Sequence, residues 1–85
     1  MNIRQEIQTN EQYLLAALVH LYDVHLTQPV FSKSDYSLLA GIARKVKRGE
    51  PILPTAITMA RTIIKSYLDW LQGAEVDESI ASRSL

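Results

Sequence analysis

Between Ala43 and Lys65 the chain reads ARKVKRGEPILPTAITMARTIIK, which sets Arg44, Lys45, Lys47, Arg48, Arg61 and Lys65 against a single acid, Glu50. Cations at this density suit phosphate, because each phosphate they neutralise releases condensed counterions. Thr58 and Thr62 stand among them, and hydroxyls beside cations are the groups that position a protein on a nucleic-acid backbone. Lys33 adds a peripheral cation. A plainer account covers part of the set: near a helix C-terminus, Lys47 and Arg48 each gain about 0.3–1 kcal/mol from the helix dipole. It does not cover Arg61 and Lys65, one turn apart with no acid after them until Asp69.

Other reactive groups are sparse. In HLYDVH, His20 and Asp23 share a helical face, as metal ligands would, but His25 falls about 140° from His20 around the helix and a third ligand is missing. No metal site is therefore expected; His20 caps or pairs locally with Asp23, and His25 packs near the helix end. The sequence offers no Ser–His–Asp set, no pair of carboxylates with a sign of burial and no Gly-rich phosphate loop, so neither enzymatic activity nor a cofactor is expected. Tyr13, Tyr22, Tyr36, Tyr67, Phe31 and Trp70 could stack on bases, yet helical spacing assigns most of them to the core. Tyr36, close to Lys33 at a loop-to-helix junction, is the best placed outside it.

The 85 residues allow one domain with a small stability margin. Cysteine is absent, which excludes disulfides, thiol catalysis and Cys-based zinc sites and suits a reducing cytoplasm. The opening MNIRQEIQTNEQ lacks a signal-peptide core, and the run YLLAALV is far shorter than the roughly 20 residues of a membrane span. A cytoplasmic protein with no membrane contact and no small-molecule substrate is expected. The net charge of zero hides segregation: residues 1–32 sum to −2, residues 33–65 to +5 and residues 66–85 to −3.

Three helices must position these groups. The first runs from about Asn10 to His25, capped by Thr9 or Asn10, with Leu14, Leu18, Leu21 and Tyr22 at three- and four-residue spacings. Pro29 ends it, and Ser34 or Asp35 opens the second, from Asp35 to Arg48. There Leu38, Leu39, Ile42, Ala43 and Val46 form the apolar stripe, Arg44, Lys47 and Arg48 lie opposite it, and Lys45 lies on the flank. Gly49 terminates this helix; Ile52 and Leu53, between two prolines, plug the core. The third runs from about Thr55 to Leu71 or Gln72, begun by Pro54 and ended by Gly73.

That third helix has two apolar stripes. Ile57, Ala60, Ile64, Tyr67, Leu68 and Leu71 form one, and Ala56, Met59, Ile63 and Trp70 the other, so it needs two partners. The fold expected is all-α, a small three-helix bundle over residues 1–72. An acidic mobile tail follows over 73–85, with a short fourth helix around Asp77 to Arg83 as the alternative.

Residues 31–71 carry a resemblance. Phe31-Ser32, Asp35, Leu39-Ala40, Leu53-Pro54, Ala60, Ile64, Tyr67 and Leu71 resemble a short helical module that recurs in phage and plasmid proteins, often appended to helicase-like or other nucleic-acid enzymes. The chain departs from that pattern at three places. Leu53 replaces the hydroxyl residue before the proline, Thr55-Ala56 replaces Lys-Gln, and Ser66 separates Lys65 from Tyr67. The resemblance implies a role beside nucleic-acid machinery in a mobile-element setting, without assigning an activity.

Two functions remain open on these residues. One is a non-enzymatic nucleic-acid-associated accessory protein, with Arg44, Lys47, Arg48, Arg61 and Lys65 on phosphates, Lys33 at the edge, and Thr58 and Thr62 as hydrogen-bond donors. A helix-turn-helix is disfavoured, since its turn has about three to four residues and Gly49–Pro54 has six with two prolines. The other is a small protein-binding regulator or inhibitor of a nucleic-acid enzyme, anti-CRISPR-like, anchored through Met59, Ile63 and Trp70. Its acidic Glu75, Asp77 and Glu78 would then occupy a basic site. A homodimer or a stable protein partner fits the spare apolar stripe.

Overall fold

The computed structural model describes residues 2–74, 76 and 78–81. Four α-helices appear in chain order: α1 (Ile3–Thr9), α2 (Glu11–Thr27), α3 (Lys33–Lys47) and α4 (Pro54–Ile64). A 3-10 segment (Lys65–Leu71) continues α4, and a 3-10 turn (Glu78–Ala81) comes last. The fold is all-α, and the described residues contain no strand. None of the helices is long and apolar enough to cross a membrane.

The chain's most apolar run sits at the centre. Tyr13 to Val19 is buried without interruption, and a helix apolar on all sides needs neighbours on all sides. α1, α3, α4 and both 3-10 pieces supply them, each packing on α2. The largest fully buried side chains of the core are Ile7, Leu14, Leu15, Leu18, Leu21, Leu39, Ile64, Leu71 and Val46.

Three sequence expectations are revised. The bundle has a fourth α-helix, α1, which the sequence does not announce because its apolar surface is only Ile3 and Ile7. Asn2 caps it by accepting from Gln5 N–H at 3.2 Å, and Asn10 ends it. Second, the α-helical winding expected through Leu71 stops at Ile64. The backbone leaves helical geometry at Tyr67, whose ring and hydroxyl are held by α3 and the loop before it. Third, Leu53 does not plug the core: it is 66% exposed, while Ile52 is half-buried against the core.

Described residues beyond Gly73 also contact the bundle. Glu78–Ala81 packs on α2 and α3, and Ala81 is completely buried. The Asn10 amide donates to Glu6 Oε2 and to Glu78 Oε1, both at 3.1 Å, and the Gln12 amide donates to the Glu78 carbonyl at 2.8 Å. Burial, then the nearby Glu6 and Glu78 carboxylates, push the Tyr13 hydroxyl above its ordinary pKa of 10.0. Glu75, Asp77 and Arg83, invoked for the acidic tail and its short helix, lie outside the described residues.

Candidate nucleic-acid interface

α3 is built to present cations at its C-terminal end. Ser32 caps its start by accepting from Asp35 N–H at 3.3 Å, two to three residues earlier than the sequence suggests. At the other end Glu50 N–H reaches the Lys45 carbonyl (2.9 Å) and Gly49 N–H the Val46 carbonyl (3.0 Å), the paired closure of a Schellman motif. Gly49 sits at φ 73°, where a Cβ would be strained. Leu39, Ala40, Ile42, Ala43 and Val46 face inward, and Ser34, Ser37, Gly41, Arg44, Lys45, Lys47 and Arg48 face solvent.

The cations of α3 are held in different ways. Lys47 Nζ lies 2.6 Å from Asp23 Oδ1 on α2 and 5.2 Å from the centre of the Tyr22 ring. Asp23 therefore serves Lys47 rather than the expected His20. Arg48 pairs with Glu50 across the Gly49 turn. Pairs this exposed contribute about 0–1 kcal/mol and leave both cations accessible. Arg44 lies at the hydroxyls of Tyr22 and then Tyr36, which hold its guanidinium pKa above the usual value. Lys33 is exposed at the first turn.

Beneath this face runs a ladder of rings. Tyr36 stacks on His25 at 4.3 Å between centroids and lies nearly parallel to Tyr22 at 6.0 Å. His25 also stacks on Phe31 at 5.7 Å, and the Tyr67 ring meets Phe31 edge-on at 4.9 Å. His25 Nδ1 accepts from the backbone N–H groups of both Val30 (3.0 Å) and Phe31 (3.1 Å), so this imidazole caps the loop that Pro29 opens. The Tyr67 hydroxyl donates to Asp35 Oδ2 at 2.6 Å and accepts from Ser32 N–H at 3.3 Å. Phe31, Ser32, Asp35 and Tyr67, scattered in sequence, thus meet at one place. Tyr36 is half-buried in this ladder, where the sequence leaves it as an outlying platform.

The cations of α4 and the segment after it turn elsewhere. Arg61 Nε donates to the Ile7 carbonyl at 3.0 Å, one of the last four carbonyls of α1 and hence without an intrahelical partner. Lys65 faces the start of α1, in a cleft that Arg4 also lines. Arg44 and Lys47 lean on α2, whereas Arg61 and Lys65 lean on α1. The Thr58 hydroxyl donates to the Pro54 carbonyl (3.1 Å) and the Thr62 hydroxyl to the Thr58 carbonyl (3.2 Å), so each is engaged along its own helix. Sequence spacing alone has no signal for Arg61 as a cap, because α1 is itself unannounced.

Part of the second apolar stripe, which runs along α4 and the 3-10 segment, remains on the surface. Met59 is 49% and Trp70 40% exposed, while Ile63 is half-buried against the core. No protein-family model, curated protein or solved structure matches this chain.

Proposed function

We propose that the protein is a non-enzymatic, nucleic-acid-associated accessory protein that meets phosphate through the solvent face of α3. One observation carries the proposal: that face holds Arg44, Lys45, Lys47 and Arg48 in the open, and the two carboxylates that reach it, Asp23 from α2 and Glu50 beyond the Gly49 turn, engage only Lys47 and Arg48, so Arg44 and Lys45 have no acidic partner among the described residues. Asp35, the only acid in α3, is half-buried and takes the Tyr67 hydroxyl. Ser34, Ser37 and Gly41 on the same face are small, which lets a backbone approach closely. Arg44 and Lys47, braced against Tyr22, are the central phosphate contacts, with Arg48 beyond them and Lys33 at the far end. Arg61, Lys65, Thr58 and Thr62 are assigned structural or separate roles. The phage and plasmid module that residues 31–71 resemble supports a place beside nucleic-acid machinery.

Fluorescence anisotropy with single- and double-stranded DNA and RNA tests this. Binding is expected to weaken about tenfold or more between about 50 and 200 mM salt, and Arg44→Ala/Lys45→Ala/Arg48→Ala is expected to abolish it. Arg61→Ala leaves the salt slope unchanged. Absence of binding to all four nucleic acids at the lower salt would refute the proposal.

A second reading, a small protein-binding regulator or inhibitor of a mobile-element enzyme, draws on the exposure of Met59 and Trp70 beside Ile63. Buried aromatic and methionine anchors dominate such interfaces. Sedimentation velocity separates its forms: self-association abolished by Met59→Glu identifies a homodimer, and an unchanging monomer directs attention to a different protein.

A further inference from the structure

We propose that the cleft between the start of α1 and the 3-10 segment binds a nucleoside phosphate. The cleft holds about 780 Å³, within the range of roughly 300–1,000 Å³ typical of small-molecule sites. Arg4 on α1 and Lys65 on the facing segment line it together with Asp69 and Gln72. Ile3 and Leu68, half-buried against the core, add an apolar floor.

The charges in this cleft are uncompensated for a geometric reason. In an α-helix Lys65 and Asp69, four residues apart, would meet as an ion pair. Here the backbone leaves helical geometry at Tyr67, which lies between them, so the four-residue spacing no longer sets Lys65 against Asp69. Neither Arg4, Lys65 nor Asp69 forms an ion pair with any described residue. Arg61, by holding the Ile7 carbonyl, keeps α1 docked so that Arg4 and Lys65 line one space.

This arrangement selects a ligand with more than charge. Two cations from opposite walls suit one phosphate, as a guanidinium and an ammonium both donate to its oxygens. Asp69 disfavours a bare anion but accepts from ribose hydroxyls, and the Gln72 amide both donates and accepts. Ile3 and Leu68 suit the flat apolar face of a base. The site is separate from the α3 face and does not rest on it.

Titration of the full chain with 5′-AMP, inorganic phosphate and adenosine, followed by amide chemical shifts in NMR, tests the proposal. Shifts are expected at residues 2–4 and 65–72 with 5′-AMP binding tighter than about 1 mM, and about tenfold weaker binding of phosphate or adenosine alone. Arg4→Ala and Lys65→Ala should each weaken 5′-AMP about fivefold or more with unchanged circular dichroism, and Arg44→Ala should have no effect. Oligonucleotides with and without a 5′-phosphate, added to the Arg44→Ala/Lys45→Ala/Arg48→Ala variant, separate the sources. Shifts in the cleft with the phosphorylated strand assign it to strand ends, and shifts with 5′-AMP alone assign it to free nucleotide. Phosphate binding as tightly as 5′-AMP, shifts confined to other residues, or no shifts at millimolar ligand would each overturn it.

Discussion

His25 shows how a single side chain can close a loop. Its Nδ1 receives two backbone N–H groups, from Val30 and Phe31, while its ring stacks on Tyr36 and Phe31. Replacing it with alanine leaves both donors without that acceptor and removes a rung of the ladder. His25→Ala is expected to destabilise the protein by about 1–3 kcal/mol in urea unfolding. His25→Asn, whose side-chain oxygen can accept, should recover part of the loss. The position of His25 near the end of α2 is legible from helical spacing. Its role is not, because the donors it receives lie beyond Pro29 and only the folded loop brings them back. The cations of α3 are a contrasting case: their outward placement follows from residue spacing alone, since the apolar stripe of Leu39, Ile42, Ala43 and Val46 fixes the opposite face.

At the scale of elements, α1 is the piece most dependent on others. Seven residues are too few for a helix to persist alone in water. It is secured by Ile7 in the core, by its Asn caps and by Arg61 at its last turn. Arg61→Met keeps the length of the side chain and removes the donor. Hydrogen exchange within residues 3–9 is expected to accelerate, with a global loss of about 1 kcal/mol, while α2 and α3 exchange as before. The same unannounced helix gives Arg61 and Lys65 neighbours that spacing does not show. Arg61 and Lys65 look like an extension of the α3 cluster until a helix appears on their side of α4. Likewise the α-helix expected through Leu71 contains every apolar position it needs, and nothing local warns of the tighter winding. The restraint comes from Tyr67 reaching Asp35 and Ser32, contacts more than thirty residues away.

For the whole molecule, central α2 makes the bundle a shell around one helix. A chain of this size has only about 5–10 kcal/mol to lose, so a fault in the shell is felt globally. Ala81 is the most informative place to introduce one. Being fully buried, it should respond to Ala81→Asp with a loss of at least about 2 kcal/mol and a lower urea midpoint. A loose tail would accept the aspartate without change. The sequence suggests such a tail because its residues are small and acidic, and small side chains carry little of the periodic pattern that marks a core face. Against α2, on which Glu78–Ala81 packs, small size is itself what lets an element approach.

Asn10 joins α1 to α2 without an intervening loop, and the same amide holds Glu78, 68 residues further along the chain. During synthesis α1 and α2 leave the ribosome before Glu78, so this joint cannot be completed until that residue has followed them. The central helix therefore stays apolar and incompletely covered until residues 78–81 have emerged. A stall anywhere before Glu78 leaves a nascent chain with its stickiest segment exposed, and makes timely release as much a condition for a healthy product as the sequence of any helix.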